Sequence, residues 1–291
     1  MMKSTPKIHF ILPAGGVRGA FQAGFLYNLF SNYKDSFEIA KIDGTSVGAL
    51  NGFAAISNQL DYLSNFWLSI NSIEDLFENW SESYLFGSLK CFYHTYYNGG
   101  FYSNKKLKSI IEKAAINWEN YSEEYRDKYS CVTVCVNTGE TNYINGSNSN
   151  ITDFITASAS PWVLSNPVKI ENKTYMDGAL LETYPIKNIN KCGADITVIV
   201  GYDQEHIKYL SGDNTNIFSY LANLIDIAKA NSTNINDMKN IIKNTDTNNV
   251  VAISNPMKLL FSDINKEAII EGYNSGKEFA DTFYKTYLTN K

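Results

Sequence analysis

The stretch Ile42-Asp43-Gly44-Thr45-Ser46-Val47-Gly48-Ala49-Leu50 decides the reading of this chain. Residues 38–43 predict a short strand ending at Asp43, and Ala49 to Ile56 predicts a helix. Between them Gly44 to Gly48 fits G-x-S-x-G. A serine at so sharp a strand-to-helix turn takes strained backbone angles, and its hydroxyl stands exposed at the start of a helix. Glycines two residues to either side, Gly44 and Gly48, allow the close packing such an elbow needs. The helix N-terminus favours negative charge developing beside it. The bare pattern arises often by chance, and an ordinary turn serine is the competing reading. The strand before it and the helix after it raise its weight.

Upstream, Lys7 to Pro13 reads as a buried strand and Val17 to Phe30 as a helix with Phe21, Phe25, Leu26 and Leu29 at helical spacing. Ala14-Gly15-Gly16-Val17-Arg18-Gly19 joins them. Two adjacent glycines can turn successive backbone N–H groups into one concavity that suits an oxyanion. A phosphate or dinucleotide loop is the rival, but the lysine and hydroxyl of a P-loop are missing and G-x-G-x-x-G is not matched. A plain strand–helix turn is the bland alternative. Arg18 favours a role, because the chain has only two arginines, Arg18 and Arg126, and the guanidinium is a planar, multidentate fork.

Downstream, helices are expected at 59–79 and 103–118, with an aperiodic aromatic stretch at 80–102. Residues 129–137 form a strongly β-branched strand with a hairpin partner at 140–145. A small-residue helix at 151–160 is stopped by Pro161. Two short strands lie within 167–176, and Asp177-Gly178 follows. A strand at 195–201, long amphipathic helices at 215–244 and 264–289, and a strand at 249–253 complete the chain. Strands alternating with helices argue for an α/β fold with a largely parallel sheet. No repeat or Pro/Gly/Ser-rich linker divides it, so one domain over 1–291 is expected. Its motif-bearing part is about 7–190, and 191–291 carries the C-terminal strand and helices.

The chain has 291 residues, 44% of them apolar and 14% aromatic. That describes a globular protein able to bury about three quarters of its unfolded surface. Twenty-five basic against 30 acidic side chains give a net charge of −5, and no basic run exceeds Lys105-Lys106. A nucleic-acid partner is therefore not expected. Cys91, Cys131, Cys135 and Cys192 form no C-x-x-C pair, and Cys131 and Cys135 would lie roughly 13 Å apart along one strand, too far to bridge. Buried reduced thiols are the preferred reading. The N-terminal apolar run is broken by Pro13 and Gly15-Gly16, too early for a signal peptide, and no stretch approaches the ~18 apolar residues of a membrane span. A cytoplasmic location is expected, with export by another route left open.

The chain has 34 asparagines but only three histidines, His9, His94 and His206. A serine hydrolase with the chain order Ser, acid, His leaves His206 as the only late candidate for Ser46. An elbow after only the second strand does not match that fold. A serine–carboxylate dyad takes priority over a Ser46–His206 esterase or acyltransferase. A non-catalytic binding protein is the third alternative.

Taken together these pieces resemble the patatin-like phospholipases. Ala14 to Gly19, Gly44 to Gly48 and the late Asp177-Gly178 stand in that family's order and spacing. Ala157-Ser158-Ala159-Ser160-Pro161-Trp162, Asn166-Pro167-Val168 and Tyr175-Met176-Asp177-Gly178-Ala179 resemble its approach to the catalytic aspartate, and Tyr184-Pro185-Ile186 the element after it. The likeness covers roughly residues 10 to 186. It implies a three-layer α/β/α fold and a Ser46–Asp177 dyad with no cofactor and no metal. Asp177 would take the Ser46 proton as the hydroxyl attacks a lipid ester, and an acyl-enzyme would follow. Gly15 and Gly16, with Val17, would donate N–H groups to the oxyanion, each worth roughly 3 kcal/mol. Arg18 would steady this loop or a phosphate-bearing substrate. Substrates of phospholipase A or lysophospholipase type are implied, with peripheral contact to a membrane surface. Ala14 departs from the usual glycine triplet and Ala179 from Asp-Gly-Gly.

The aromatic stretch 80–102 has two readings, a cap over an acyl-chain entry or core beneath a long loop. Packing is preferred. The C-terminal helices read as solvated surface more than as membrane anchors, since Asp and Asn mix into their polar faces.

Overall fold

The structure is a computed structural model. It describes residues 5–79, 99–202, 233–243, 249–257 and 264–289. The strands are β1 (Lys7–Leu12), β2 (Glu38–Thr45), β3 (Glu78–Asn79), β4 (Gly100–Ser103), β5 (Tyr129–Cys135), β6 (Glu140–Asn145), β7 (Val163–Ser165), β8 (Val168–Ile170), β9 (Lys173–Asp177), β10 (Ile196–Tyr202) and β11 (Val250–Ser254). The described α-helices are α1 (Gly19–Asn32), α2 (Val47–Ile56), α3 (Leu60–Ser69), α4 (Lys105–Ala114), α5 (Glu123–Arg126), α6 (Ile151–Ser158), α7 (Thr233–Lys243) and α8 (Lys266–Phe283).

The main sheet runs β11-β10-β1-β2-β5-β9-β8, with β6 also on β5. From β11 to β5 every pairing is parallel, and β6, β9 and β8 add antiparallel pairs. Strands buried on both faces read as unbroken apolar runs, and β1 and β5 show why. Ile8, Phe10 and Leu12 join one core with Phe21, Phe25, Phe53 and Phe283, which come from α1, α2 and α8. Ile11 points the other way, into a second cluster with Tyr184, Ile199, Val250 and Met238 of α7. Helices therefore flank a mostly parallel sheet, as expected. Among the described residues no helix is long and apolar enough to cross a membrane.

The pairing around β5 positions the site. β6 occupies one edge over Ser130–Cys135. The other edge is shared: β2 pairs with Tyr129 to Val132, and β9 runs in from the opposite direction to pair with Thr133 to Cys135. Thr45 faces Val132, and Asp177 faces Thr133. The ends of β2 and β9 thus meet head to head.

Several boundaries differ from the sequence expectations for identifiable reasons. The helix expected at 59–79 stops at Ser69, because the Asp75 carboxylate takes the N–H groups of Asn71 and Ser72 into a turn. Glu78–Asn79 then pairs with β4, and β4 with β7, in a small second sheet. The helix expected at 103–118 is Lys105–Ala114, and the last helix ends at Phe283 in a π-turn over Tyr284–Leu288. Most of the aromatic stretch, residues 80–98, and most of the helix expected at 215–244 lie outside the described residues. Cys131 and Cys135 are buried free thiols, and Cys192 is a partly exposed one.

Candidate active site

Ser46 closes β2 and caps α2, with φ 57° and ψ −127°. A non-glycine residue at positive φ costs of order 1–3 kcal/mol and persists only where its surroundings hold it. Three groups do so. The Ser46 N–H donates to Ser158 Oγ at 3.0 Å, and the Ser158 hydroxyl donates to the Val132 carbonyl at 2.6 Å. The Ser46 carbonyl accepts from Ala49 N at 2.9 Å. The flanking glycines meet the spatial demand of the turn. A Cβ on Gly44 would lie 2.5 Å from Ala49 Cα, and one on Gly48 would overlap the Leu12 carbonyl.

Ser158 was not singled out from the sequence, where it is one small residue in a helix of small residues. Its replacement by Ala should cost about 1–3 kcal/mol, because the Ser46 N–H would be left buried without an acceptor. Urea unfolding would measure this, and ester turnover should fall with it.

The Ser46 hydroxyl donates to Asp177 Oδ2 at 2.7 Å. The second oxygen, Oδ1, accepts from Ala179 N at 2.8 Å, and the Asp177 N–H donates to the Ser160 carbonyl at 3.2 Å. The carboxylate is therefore fixed from both sides with one oxygen aimed at the serine. Both residues are buried. Such a pair can pass a proton directly from hydroxyl to carboxylate without a third group.

The loop before α1 lies across the same site, with Gly16 and Val17 lining one pocket with Ser46. Gly16 sits at φ 54° and opens a 3-10 turn through Arg18. The Gly15 carbonyl is taken by Arg18, through its backbone N–H at 3.2 Å and its Nε at 3.3 Å. The Ala14 N–H donates to the Thr183 carbonyl at 3.0 Å. Alanine in place of glycine there leaves a donor that ties the loop to the segment after Asp177. Gln22 Nε2 holds the Pro13 carbonyl at 2.8 Å. Asn51 accepts from Trp67 Nε1 at 2.8 Å and donates to the Gly19 carbonyl at 2.9 Å, linking α1, α2 and α3 behind the loop.

The pocket beside Ser46 is almost wholly apolar. Val47, Leu50, Phe66, Trp67, Leu76, Phe77, Leu107 and Leu164 form its walls. Apolar walls converging on a few polar groups are what an alkyl-bearing substrate needs.

Among the described residues the site so assembled contains no histidine. His9 is fully buried and bonded through Nε2 to Asp43 Oδ2 at 2.9 Å. His94 and His206 lie outside the described residues.

A family model described as patatin-like phospholipase matches residues 10–189. No curated protein matches the chain by sequence. Among solved structures, the crystal structure of VipD from Legionella pneumophila matches at a TM-score of 0.53 and 12% identity, over 98% of this chain and 67% of that one. Similarity at that identity bears on the fold alone.

Proposed function

The chain belongs to the patatin-like phospholipase family, and from that premise we propose that it is a serine lipid acyl hydrolase of phospholipase A or lysophospholipase type. The observation that carries this reading is the Ser46–Asp177 hydrogen bond at 2.7 Å beside an apolar pocket. Asp177 accepts the proton of Ser46 as Oγ attacks the ester carbonyl. The N–H groups of Gly15, Gly16 and Val17 receive the negative charge that develops on the carbonyl oxygen. Arg18 steadies that loop through its hold on Gly15. The leaving alcohol takes the proton from Asp177 as the tetrahedral intermediate collapses to the acyl-enzyme. Asp177 then draws a proton from water as the water oxygen attacks the acyl carbonyl; collapse breaks the bond to Ser46, Oγ takes the proton back from Asp177, and the fatty acid leaves. The pocket walls hold the acyl chain throughout. One main sheet takes strands from Lys7–Leu12 through to Val250–Ser254, which favours treating 1–291 as one domain.

Fatty-acid release from phosphatidylcholine and lysophosphatidylcholine tests the reading. Folded protein that releases none from either, nor from a p-nitrophenyl ester, would sink it.

Peripheral membrane contact belongs to the same proposal. Trp162, Leu180 and Leu181 are 48%, 41% and 44% exposed. Trp162 lies between the pocket residues Pro161 and Leu164, and the two leucines follow Asp177. Indole rings and leucines gain by entering the interfacial region of a bilayer. Replacing Trp162, Leu180 and Leu181 together by Ser should lower turnover of vesicle phospholipid roughly tenfold, an expected loss of about 1.4 kcal/mol in interfacial binding. Turnover of a short, monomeric ester should hardly change. Parallel assays of the two substrates separate the effects.

A further inference from the structure

The loop between β1 and α1 is held by side chains at three of its carbonyls. Gln22 Nε2 donates to the Pro13 carbonyl at 2.8 Å, and Arg18 Nε to that of Gly15 at 3.3 Å. The third, the carbonyl of Arg18 itself, accepts from Asn255 Nδ2 at 3.1 Å. The first two holders belong to the loop and to the helix it opens. Asn255 lies 237 residues beyond Arg18 and outside the residues 10–189 that the family model matches.

The sheet explains how they meet. β11, β10, β1 and β2 run parallel, so their C-terminal ends lie at one end of the sheet. In open parallel sheets that end gathers the binding residues. β2 ends at Thr45 beside Ser46, β1 ends at Leu12 before the loop, and Asn255 directly follows Ser254, the last residue of β11. A turn of its own orients the Asn255 amide. Its Oδ1 accepts from the Met257 N–H at 2.9 Å, which leaves the amide nitrogen, the donor of the group, for the Arg18 carbonyl. Met257 and Ile264 pack against the cluster that holds Ala20 of α1, Val47 of α2 and Ile269 of α8. α8 comes close at Gly272, where a Cβ would lie 2.3 Å from Met257 Sδ. Ile264 in turn lines the pocket with Gly16 and Ser46. The segment after β11 thus reaches the site twice, at the loop and at the pocket wall.

We propose that Asn255 is a positioning residue for the reaction at Ser46, a clamp by which the C-terminal part of the chain sets the oxyanion loop. This rests on the lipid-hydrolase reading. The route runs through two peptide planes. Asn255 holds the Arg18–Gly19 peptide at its carbonyl. The N–H of that peptide, on Gly19, donates to the carbonyls of Gly16 and Val17. The Gly16 carbonyl shares one rigid plane with the Val17 N–H, a proposed oxyanion donor. Fixing the first plane therefore fixes the direction of that N–H. Asn255 acts only through where the donor points. A donor aimed in advance at the developing charge lowers the barrier without tightening substrate binding, so a loosened loop lowers kcat and leaves KM.

Asn255→Asp keeps the acceptor for the Met257 N–H, removes the donor and sets an oxygen against the Arg18 carbonyl. On a short, monomeric p-nitrophenyl ester its kcat should fall roughly tenfold or more, with KM within about twofold of the unmodified chain. The fluorophosphonate adduct on Ser46 should still form on every chain, but roughly tenfold more slowly, because the phosphonyl oxygen draws on the same donors. A merely structural role would lower the labelled fraction and the Tm and leave the rate per labelled chain unchanged. If Asn255→Asp does not fold, Asn255→Ala is read in the same way. Unchanged kcat in a chain that hydrolyses the ester, or a fall accounted for by fewer labelled chains, overturns the clamp alone. No hydrolysis by the folded, unmodified chain overturns the lipid-hydrolase reading, and the clamp with it.

Discussion

Replacing Ser46 by Ala or Asp177 by Asn should lower ester hydrolysis about 10⁴-fold or more, with the fold intact. Neither change opens a cavity, since each removes or exchanges one light atom. Asn at 177 can still accept from Ala179 N, now at 2.8 Å to Oδ1, but it cannot take a proton from Ser46. Losses of this size follow removal of a nucleophile or its proton acceptor, leaving what the oxyanion donors and binding supply. In the proposed dyad the two residues act as one unit, so the double variant should be no worse than the weaker single one. His206→Ala should stay within about twofold of the unmodified chain. Initial rates on one phospholipid, with far-UV circular dichroism as the control for folding, check all four proteins. A silent Asp177→Asn, or a collapse in His206→Ala, would contradict the dyad.

Gly48→Ala should be the most damaging single methyl group near the site. Its Cβ would overlap the Leu12 carbonyl, and the clash is backbone against backbone. No side chain can rotate away to relieve it. Overpacking of this kind costs about 1–3 kcal/mol, a fall of roughly 2–4 °C in Tm per kcal/mol at this chain size. The effect on rate should be larger than the effect on stability. Leu12 ends β1 and leads directly into the Gly15-Gly16 loop, while Gly48 lies two residues beyond Ser46. Pushing them apart would move the proposed nucleophile and the proposed oxyanion donors relative to each other, and a 1 Å error there costs about 10²-fold. Thermal melting together with turnover reads both effects. An unchanged rate would show that the close approach at Gly48 does not matter.

What could be read from the sequence was what local pattern carries. The elbow at Ser46 announced itself through two glycines and the switch from strand to helix. The buried strands β1, β5 and β10 announced themselves as largely apolar or β-branched runs. Asp177 was reached only through its order relative to the other motifs, because its partner lies 131 residues away. What joins them is the shared edge of β5, a long-range pairing that leaves no local trace. The same limit hid the β3-β4-β7 sheet, whose strands are two to four residues long. Ser158 escaped notice because its role depends on which carbonyl and which N–H it meets across the sheet. His9 was set aside as too early in the chain to serve Ser46. Its pairing with Asp43 depends on β1 and β2 lying side by side in register. Ile73 to Asn79 misled in the other direction, since an acidic, apolar-spaced run continued the helical pattern that Asp75 in fact ends.

The central claim is that Ser46 is a nucleophile activated by Asp177. Incubation of the folded chain with a fluorophosphonate probe, followed by peptide mapping, tests it most directly. A single stoichiometric adduct on Ser46, greatly slowed in Asp177→Asn and unaffected in His206→Ala, is the predicted result. No adduct at Ser46 in well-folded protein, or labelling that depends on His206 and ignores Asp177, would contradict it.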